Sequence, residues 1–162
     1  MRSLMDAEKD RNYMKIALEE ARKAYAINEV PIGAVIVYKD QIIGRGYNRR
    51  NTDKSTLAHA EILAMEEAMA FIGDWRLEET TMYITLEPCP MCAGAIVQAR
   101  IPRVVLGAMN PKAGSAGSVV NLLNEPKFNH QVQVEYDMCH DACKAILQDF
   151  FKELREQKKG LR

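Results

Sequence analysis

The sequence predicts an α/β protein in which helices cover both faces of a five-stranded mixed sheet, a three-layer α/β/α arrangement. The hydrophobic pattern alternates along the chain between a helical period and the short β-branched runs that are typical of buried strands. A chain of 162 residues, 48% of them hydrophobic and 27% charged, is long enough to bury the core of one ordinary soluble domain. No repeat or low-complexity linker divides it, so residues 1–162 are predicted to form a single domain.

The first elements are a helix and a hairpin. Apolar residues recur at helical spacing over 7–27, and Val30-Pro31-Ile32-Gly33 ends that helix. The β-branched run 34–38 and a second strand, 42–47, flank a short turn, a pattern that is typical of two antiparallel strands.

The middle of the chain alternates between helices and strands. The polar segment 48–56 is predicted to be a loop, and the apolar spacing over 58–71 indicates a second helix. A strand is expected at 80–86, followed by a helix over 90–99 that has Pro90 in its first turn, where proline is well tolerated.

The last third is predicted to contain a strand at 103–108, a loop over 109–118, a strand at 131–136 and a closing helix over 139–157. Strand–helix–strand connections favour parallel pairing, so we expect parallel strands in the middle of the sheet.

Three side chains have the spacing of one zinc site. Cys89 and Cys92 lie three residues apart at a predicted helix start, where both sulfurs can face one ion and the positive helix end favours thiolates. His59, near the start of another helix, supplies a nitrogen ligand. Three protein ligands leave a fourth position for water, which is the arrangement of catalytic zinc. We therefore expect one Zn²⁺ per chain.

Glu61 lies two residues after His59, so it can face the fourth ligand position without binding the ion. Zinc lowers the pKa of its water to about 7, and a neighbouring carboxylate can pass that proton to a ring nitrogen and then to a leaving amine. This chemistry is hydrolytic deamination. His-x-Glu followed, after 26 intervening residues, by Pro-Cys-x-x-Cys is also the recognised signature of zinc nucleobase deaminases.

From about residue 10 to residue 159 the chain resembles the bacterial tRNA-specific adenosine deaminase family. The segments that carry the resemblance include Glu29-Val30-Pro31-Ile32-Gly33-Ala34, Gly46-Tyr47-Asn48, Ala58-His59-Ala60-Glu61, Thr85-Leu86-Glu87-Pro88-Cys89-Pro90-Met91-Cys92, Pro111-Lys112-Ala113-Gly114 and Phe150-Phe151-Lys152-Glu153-Leu154-Arg155. The resemblance implies a cytidine-deaminase-like fold and a homodimer. It further implies that the enzyme converts adenosine to inosine at the wobble position of a transfer-RNA anticodon.

The resemblance also assigns roles to individual residues. Asn48 would hydrogen-bond the flipped base, Glu61 would shuttle the proton, and Val30, Ala58 and Leu86 would contribute to the pocket.

Asn110 and Lys112, in the loop over 109–118, are further candidates for substrate contact. Asn110 stands where many members of the family have Asp, so this loop carries less negative charge near a phosphate backbone.

Net charge gives no separate indication of a nucleic-acid partner. Lys and Arg number 22 and so do Asp and Glu, so only a local basic patch could attract a phosphate backbone. The candidates for such a patch are Arg49, Arg50, Lys112, Arg155, Lys158, Lys159 and Arg162. The last four of these lie at the end of the closing helix, where a solvated helix terminus explains them equally well. The chain has no membrane-length apolar run, and a cytoplasmic location is expected.

Other interpretations remain open at this stage. Cys89 and Cys92 could form a redox pair, although the matched His-x-Glu favours zinc. Cys139 and Cys143, with His140 between them, could form a second metal site, although Cys143 continues an apolar helical stripe. The chain could also deaminate a free nucleobase such as guanine, or be a non-catalytic zinc-containing RNA-binding subunit, for which the carboxylate of Glu61 would have no use.

Overall fold

The computed structural model describes residues 3–160 and has the predicted α/β architecture with helices on both faces of one sheet. The elements, in chain order, are α1 (Leu4–Ala26), β1 (Gly33–Tyr38), β2 (Gln41–Tyr47), α2 (Ala60–Ile72), β3 (Thr80–Leu86), α3 (Pro90–Gln98), β4 (Arg103–Ala108), a short 3₁₀ helix (Leu122–Asn124), β5 (Gln133–Glu135) and α4 (His140–Gly160).

The five strands form one mixed sheet in the order β2-β1-β3-β4-β5. β1 pairs antiparallel with β2, as the predicted hairpin requires, and it also pairs antiparallel with β3. β3, β4 and β5 pair parallel. The expectation of parallel strands in the middle of the sheet is therefore correct for β3 and β4 and wrong for β1 and β3, because the hairpin places β1 between the two parallel-running strands β2 and β3.

The helices form a layer on each face of the sheet, and each layer encloses a hydrophobic core. α2 and α3 cover one face and bury Ile36, Met82 and Leu106 with most of the apolar residues of the sheet. α1 and α4 cover the other face, where Met14 and Tyr83 belong to a smaller core. The side chains alternate between these two cores because successive strand residues point to opposite faces.

Strand direction brings five loops to one edge of the sheet. β2, β3, β4 and β5 run in the same direction, so their carboxyl ends, and the amino end of the antiparallel β1, share that edge. α2 and α3 begin there as well. Loops at the carboxyl ends of strands are where open α/β sheets bind ligands.

The structure corrects several predicted boundaries. α1 begins at Leu4 because Ser3 and Asp6 form a reciprocal capping box, and α2 begins at Ala60 because His59 is in an extended conformation as its N-cap. β5 is only Gln133–Glu135, since it pairs with just the first three residues of β4. The sequence patterns did not predict the 3₁₀ helix, and α4 extends past residue 157.

Two further findings concern the expectations about the chain as a whole. Among residues 3–160 no helix is both long enough and apolar enough to span a bilayer. Arg162, which belongs to the predicted basic end of the last helix, lies outside the described residues.

Candidate active site

The three predicted metal ligands converge at the shared sheet edge. His59 is the N-cap of α2 and Cys89 is the N-cap of α3, with Cys92 one turn further along α3. The Nδ1 atom of His59 lies 3.6 Å from the Sγ atom of Cys89 and 3.5 Å from that of Cys92. This is the one group of three or more potential metal-binding side chains found within residues 3–160.

These distances fit a zinc ion. In a tetrahedron with Zn–S bonds of about 2.3 Å and Zn–N bonds of about 2.0–2.1 Å, sulfur and nitrogen lie about 3.5–3.6 Å apart. Neither N-cap side chain is used to cap its helix, so the ring nitrogen of His59 and the sulfur of Cys89 are available to an ion. The donor set and its spacing are therefore those of a three-ligand zinc site.

The electrostatic environment keeps a thiolate at Cys89. A hydrogen bond from the thiol of Cys92, helped by His59, lowers the pKa of Cys89 to about 4. The same pairing raises the pKa of Cys92, and the hydrogen bond to Cys89 raises the pKa of His59. A deprotonated sulfur is the form that binds a metal ion.

Glu61 lies in the first turn of α2, on the wall of the same cavity, and its side chain is only 4% exposed. Burial raises its pKa to about 7, and the negative charge of Cys89 adds to that rise. A carboxyl group with a pKa near neutrality can both accept and release a proton, which is the property required of a general acid–base catalyst.

The cavity beside the cluster has a volume of about 500 Å³, within the range of small-molecule sites. Apolar side chains form most of its wall, including Val30 and Leu86, both predicted pocket residues. Asn48 also faces it and is held in place, because its Nδ2 donates to the carbonyl of Val30 (3.2 Å) and its Oδ1 accepts from the N–H of Arg50 (3.1 Å). One N–H and one oxygen lone pair of the Asn48 amide stay free for a ligand.

The loop over 109–118 forms a further part of the wall and contributes Asn110 and Lys112. The Oδ1 of Asn110 accepts from the backbone N–H groups of Lys112 and Ala113, each at 3.3 Å, so the amide nitrogen is the part left for a ligand. The carboxylate of Glu87 holds this loop in place through hydrogen bonds to its backbone and to Ser118. Burial opposes ionisation of Glu87, but hydrogen bonds from Ser118 and from loop N–H groups outweigh it and lower its pKa.

Two residues that were predicted to contact the substrate, Ala58 and Arg49, do not line the cavity. Ala58 is buried beside the cavity rather than in its wall, where its carbonyl accepts from the N–H of Arg49 at 2.9 Å. The guanidinium of Arg49 forms a bidentate pair with Asp53 and also donates to the hydroxyl of Tyr47. Its charge is therefore largely balanced within the protein.

Sequence reasoning missed two apolar residues at the mouth of the cavity. Leu147 and Phe151, four residues apart on α4, both line it, and Phe151 is 41% exposed. Their spacing is that of any buried helical stripe, so it gave no signal for a site. Only the packing of α4 against the end of β4 places them there.

A groove continues from the cavity along α4. It shares Lys112 and Phe151 with the cavity and is lined by further basic side chains, namely Lys144, Lys152, Arg155 and Lys158. Asp149 is the acidic residue in its wall. Of the predicted basic patch, Lys112, Arg155 and Lys158 thus lie in one continuous groove.

The second cysteine pair is not near the metal cluster. Cys143 is fully buried in the smaller core, as its apolar stripe predicts, and burial raises its pKa to about 12. His130 bonds to the carbonyl of Ile101 at 2.7 Å, and His140 contacts Asp141. Cys139 packs against the same core as Cys143, whereas His140 also lines the groove along α4.

Comparison with known proteins identifies relatives over almost the whole chain. The MafB19-like deaminase family matches residues 8–155. A tRNA-specific adenosine deaminase of Bacillus subtilis is 50% identical over 94% of this chain and 95% of its own length. The corresponding protein of Haemophilus influenzae is 42% identical over 96% of this chain and 93% of its own.

Solved structures agree with the fold. One from a study of A-to-I editing by tRNA:A34 deaminases at the wobble position superimposes with a TM-score of 0.81 and 40% identity, covering 84% of this chain and 99% of that one. Guanine deaminase from Nitrosomonas europaea has a TM-score of 0.74 but only 23% identity, over 86% of this chain and 83% of that one. The second likeness reflects the shared fold alone.

Proposed function

Since the chain belongs to the tRNA-specific adenosine deaminase family, within the MafB19-like deaminases, we propose that it hydrolyses adenosine to inosine at the wobble position of a transfer-RNA anticodon. The observation that carries the proposal is the placement of one buried carboxylate, Glu61, in the wall of a cavity shared with a zinc-type donor set. A non-catalytic RNA-binding protein would have no need of that carboxylate.

His59, Cys89 and Cys92 are the residues that would hold the metal. When bound there, zinc supplies a Lewis acid that lowers the pKa of water to about 7. The depressed pKa of Cys89 favours the charge that a zinc ion requires of a thiol. The shared sheet edge fixes the two helix starts relative to each other, so the ligand set is formed before substrate arrives.

Glu61 performs the proton transfers. Its carboxylate takes one proton of the attacking water and delivers it to the ring nitrogen of adenine while the water oxygen bonds to the ring carbon. It then takes the remaining proton of that oxygen and delivers it to the exocyclic amine, so that the C–N bond breaks, ammonia leaves and the carbonyl of inosine forms. The carboxyl group is poised for both steps because burial brings its pKa close to neutrality. Its position at the start of α2 keeps it beside the reacting carbon without placing it among the metal ligands.

The base is held by shape and by one fixed amide. Val30 and Leu86 give the cavity apolar walls against which a flipped purine, having left its stack, would pack. Asn48 offers one donor and one acceptor at an orientation fixed by its bonds to Val30 and Arg50. An amide held in this way selects a base by its edge rather than by its size.

The flanking RNA is proposed to lie in the groove along α4. Lys112, Lys152, Arg155 and Lys158 supply positive charge along this groove, although the whole chain has no net charge. Phosphate contacts of this kind give affinity that decreases as salt increases. A free nucleobase has no phosphate and would gain nothing from the groove.

We also propose that the protein acts as a homodimer, as the family resemblance implies, and that it is located in the cytoplasm. Sedimentation of the purified chain measures the first point directly.

The test of the activity is deamination of an anticodon stem-loop that carries adenosine at the wobble position. Inosine should form on this substrate, while the same stem-loop with cytidine at that position and free guanine should stay unchanged. Glu61→Ala is the control for chemistry, because it retains the metal ligands. Faster turnover of guanine would identify a free-base deaminase, and full biological activity of Glu61→Ala would identify a binding subunit.

A further inference from the structure

Two buried carboxylates flank the cavity and take no part in the chemistry described above. Glu29 lies just before β1 and Glu87 directly after β3, and each is only 1% exposed. Burial of an ionised carboxylate is costly unless hydrogen bonds replace the lost water. For both residues these bonds come mostly from the backbone of a neighbouring loop, and the two loops carry Asn48, Arg50, Asn110 and Lys112, which line the cavity.

Glu87 holds the loop over 109–118 at both of its ends. Its Oε1 accepts from the N–H of Asn110 at 2.9 Å and from the hydroxyl of Ser118. Its Oε2 accepts from the N–H of Ala116 at 2.9 Å and from the N–H of Ser118 at 3.0 Å. A carboxylate has about four acceptor positions, so all of them are occupied by this one loop.

The backbone of this loop packs closely against the carboxylate of Glu87 at Gly114. A Cβ atom added to Gly114 would lie 2.2 Å from the Oε1 of Glu87 and 2.5 Å from the carbonyl oxygen of Asn110. No side chain fits between the loop backbone and Glu87. The position of Asn110 is therefore set by the carboxylate beneath it.

Glu29 has the corresponding relation to the loop over 48–58. Its Oε1 accepts from the N–H of Asn51 at 3.2 Å and its Oε2 from the N–H of Thr52 at 2.7 Å. Arg50, the residue before them, faces the cavity. The two carboxylates thus hold two different loops, both of which contribute residues to the wall of the same cavity.

We infer that Glu29 and Glu87 are positioning residues for substrate recognition, each of which fixes the loop that presents one set of RNA contacts. Glu29 acts through Arg50, and Glu87 acts through Asn110 and Lys112. The inference rests on the proposed function, since it takes RNA as the ligand of these loops. Side chains that recognise a substrate must be held to within about 0.5 Å, and a loop with free backbone donors does not hold them so closely.

The carboxylate, and not only its shape, is required. Glutamine has the same size, but one of its terminal groups is an NH₂ that cannot accept. In Glu87→Gln that group would face at least one backbone N–H, since the Ser118 hydroxyl beside Oε1 can rotate to accept, and in Glu29→Gln it would face one of two. The loop must then open to satisfy these donors with water.

The first measurement follows loop order without substrate. Hydrogen–deuterium exchange of the backbone amides in 110–118 should become at least about tenfold faster in Glu87→Gln, while the amides of 51 and 52 are unchanged. Glu29→Gln should give the reverse pattern. Glu67→Gln, an exposed carboxylate on α2, is the matched control and should change neither loop. Unchanged exchange in the two buried variants overturns the inference.

The second measurement couples each carboxylate to its own loop through kcat and KM on the wobble-adenosine stem-loop. Glu87→Gln should raise KM about tenfold with a smaller change in kcat, because ground-state contacts are lost. Asn110→Ala should raise KM little further in a protein that already carries Glu87→Gln, but should have its full effect on KM in a protein that carries Glu29→Gln. Arg50→Ala should raise KM little further in the Glu29→Gln protein and should have its full effect in the Glu87→Gln protein.

A general loss of stability would loosen both loops and would raise KM alike whichever two substitutions are combined. Additive changes in KM in all four double variants, Asn110→Ala or Arg50→Ala with Glu87→Gln or Glu29→Gln, therefore overturn the inference. Zinc content is measured in every variant, since Glu87 lies two residues before Cys89. Should Glu87→Gln fail to fold, Ser118→Ala removes one donor while keeping the carboxylate, and it should raise KM in the same direction by a smaller factor.

The two measurements separate the inference from the activity on which it rests. A wild-type protein that leaves the stem-loop unchanged refutes the proposed function, and the exchange experiment still decides whether the carboxylates hold the loops. Deamination by the wild type combined with unchanged exchange in both variants refutes the positioning role alone.

Discussion

Replacing Gly46 with alanine should displace a metal ligand, although residue 46 contacts neither metal nor substrate. A Cβ atom at this position of β2 would lie 2.1 Å from the carbonyl oxygen of Ala60 and 2.8 Å from the nitrogen of Ala64. Both are backbone atoms of α2, so no side-chain rotation relieves the contact. The Ala60 carbonyl must move by about 1 Å to reach the 3.0 Å below which real Cβ contacts essentially never occur.

The size of the effect follows from where Ala60 lies. Ala60 lies between His59 and Glu61 at the start of α2. A shift of its backbone therefore moves both side chains relative to Cys89 and Cys92. Metal sites hold their ligand distances to about 0.2 Å, and a misplacement of about 1 Å can lower a rate about 100-fold. We expect Gly46→Ala to hold less than one zinc per chain and to lose about 100-fold in kcat/KM. Overpacking should lower the free energy of unfolding by about 1–3 kcal/mol.

The assay compares Gly46→Ala with Gly94→Ala. A Cβ at Gly94, in α3, meets nothing within 4 Å, so this second substitution adds the same methyl group at a position with room for it. It should retain full zinc, and as a glycine replacement inside a helix it should stabilise the protein by up to about 1 kcal/mol. Elemental analysis, thermal unfolding and kcat/KM on the stem-loop are measured for both. A Gly46→Ala protein with stoichiometric zinc and wild-type activity would refute the argument that this close approach sets the ligand position.

Further predictions concern the metal, the carboxylate and the RNA. Cys89→Ser should lose stoichiometric zinc by elemental analysis, since two ligands remain of three; a fully loaded variant contradicts the assignment. Glu61→Gln should keep fold and zinc but lose about 10²–10⁴ in turnover, and a loss below tenfold would point to another base. Arg155→Ala should reduce the slope of log affinity against log salt by about 0.7–0.9, whereas an unchanged slope removes Arg155 from the RNA surface. Asn110→Asp should lower kcat/KM on a DNA stem-loop about tenfold more than on an RNA stem-loop. One carboxylate oxygen keeps the hydrogen bonds from the N–H groups of Lys112 and Ala113, and the other can accept from a ribose 2′-hydroxyl. Equal changes on the two substrates would mean that residue 110 only shapes the loop.

Local spacing was sufficient to predict the chemical groups. His59 and Glu61 share one helix start, and Cys89 and Cys92 share another, so each pair is fixed by a single turn of backbone whatever surrounds it. Hydrophobic periodicity likewise predicted the helices and the first four strands, because burial on one face imposes a period that the sequence must carry. The weakest prediction, β5, concerned a three-residue edge strand with too few positions to show a period.

The relation between these local units was decided by tertiary packing. Strand order brings the two helix starts to one edge, and no local pattern encodes the insertion of β1 between β2 and β3. The apolar stripe of α4 has the same spacing whether it faces a core or the mouth of a cavity, so only packing reveals Phe151 as a wall residue. Arg49 was expected to contact phosphate until the structure paired it with Asp53.

The sequence by itself thus determined which chemistry this protein carries, because that chemistry resides in short motifs whose geometry follows from one helical turn. Tertiary structure alone decided how the site is held. Glu29 and Glu87 lie in segments that carry the family resemblance, but no local pattern assigns them a role. Their hydrogen-bond donors lie at least 22 positions further along the chain for Glu29 and at least 23 for Glu87. Any residue except proline can donate a hydrogen bond from its backbone N–H, so such a contact can be recognised only once the fold has brought the two segments together.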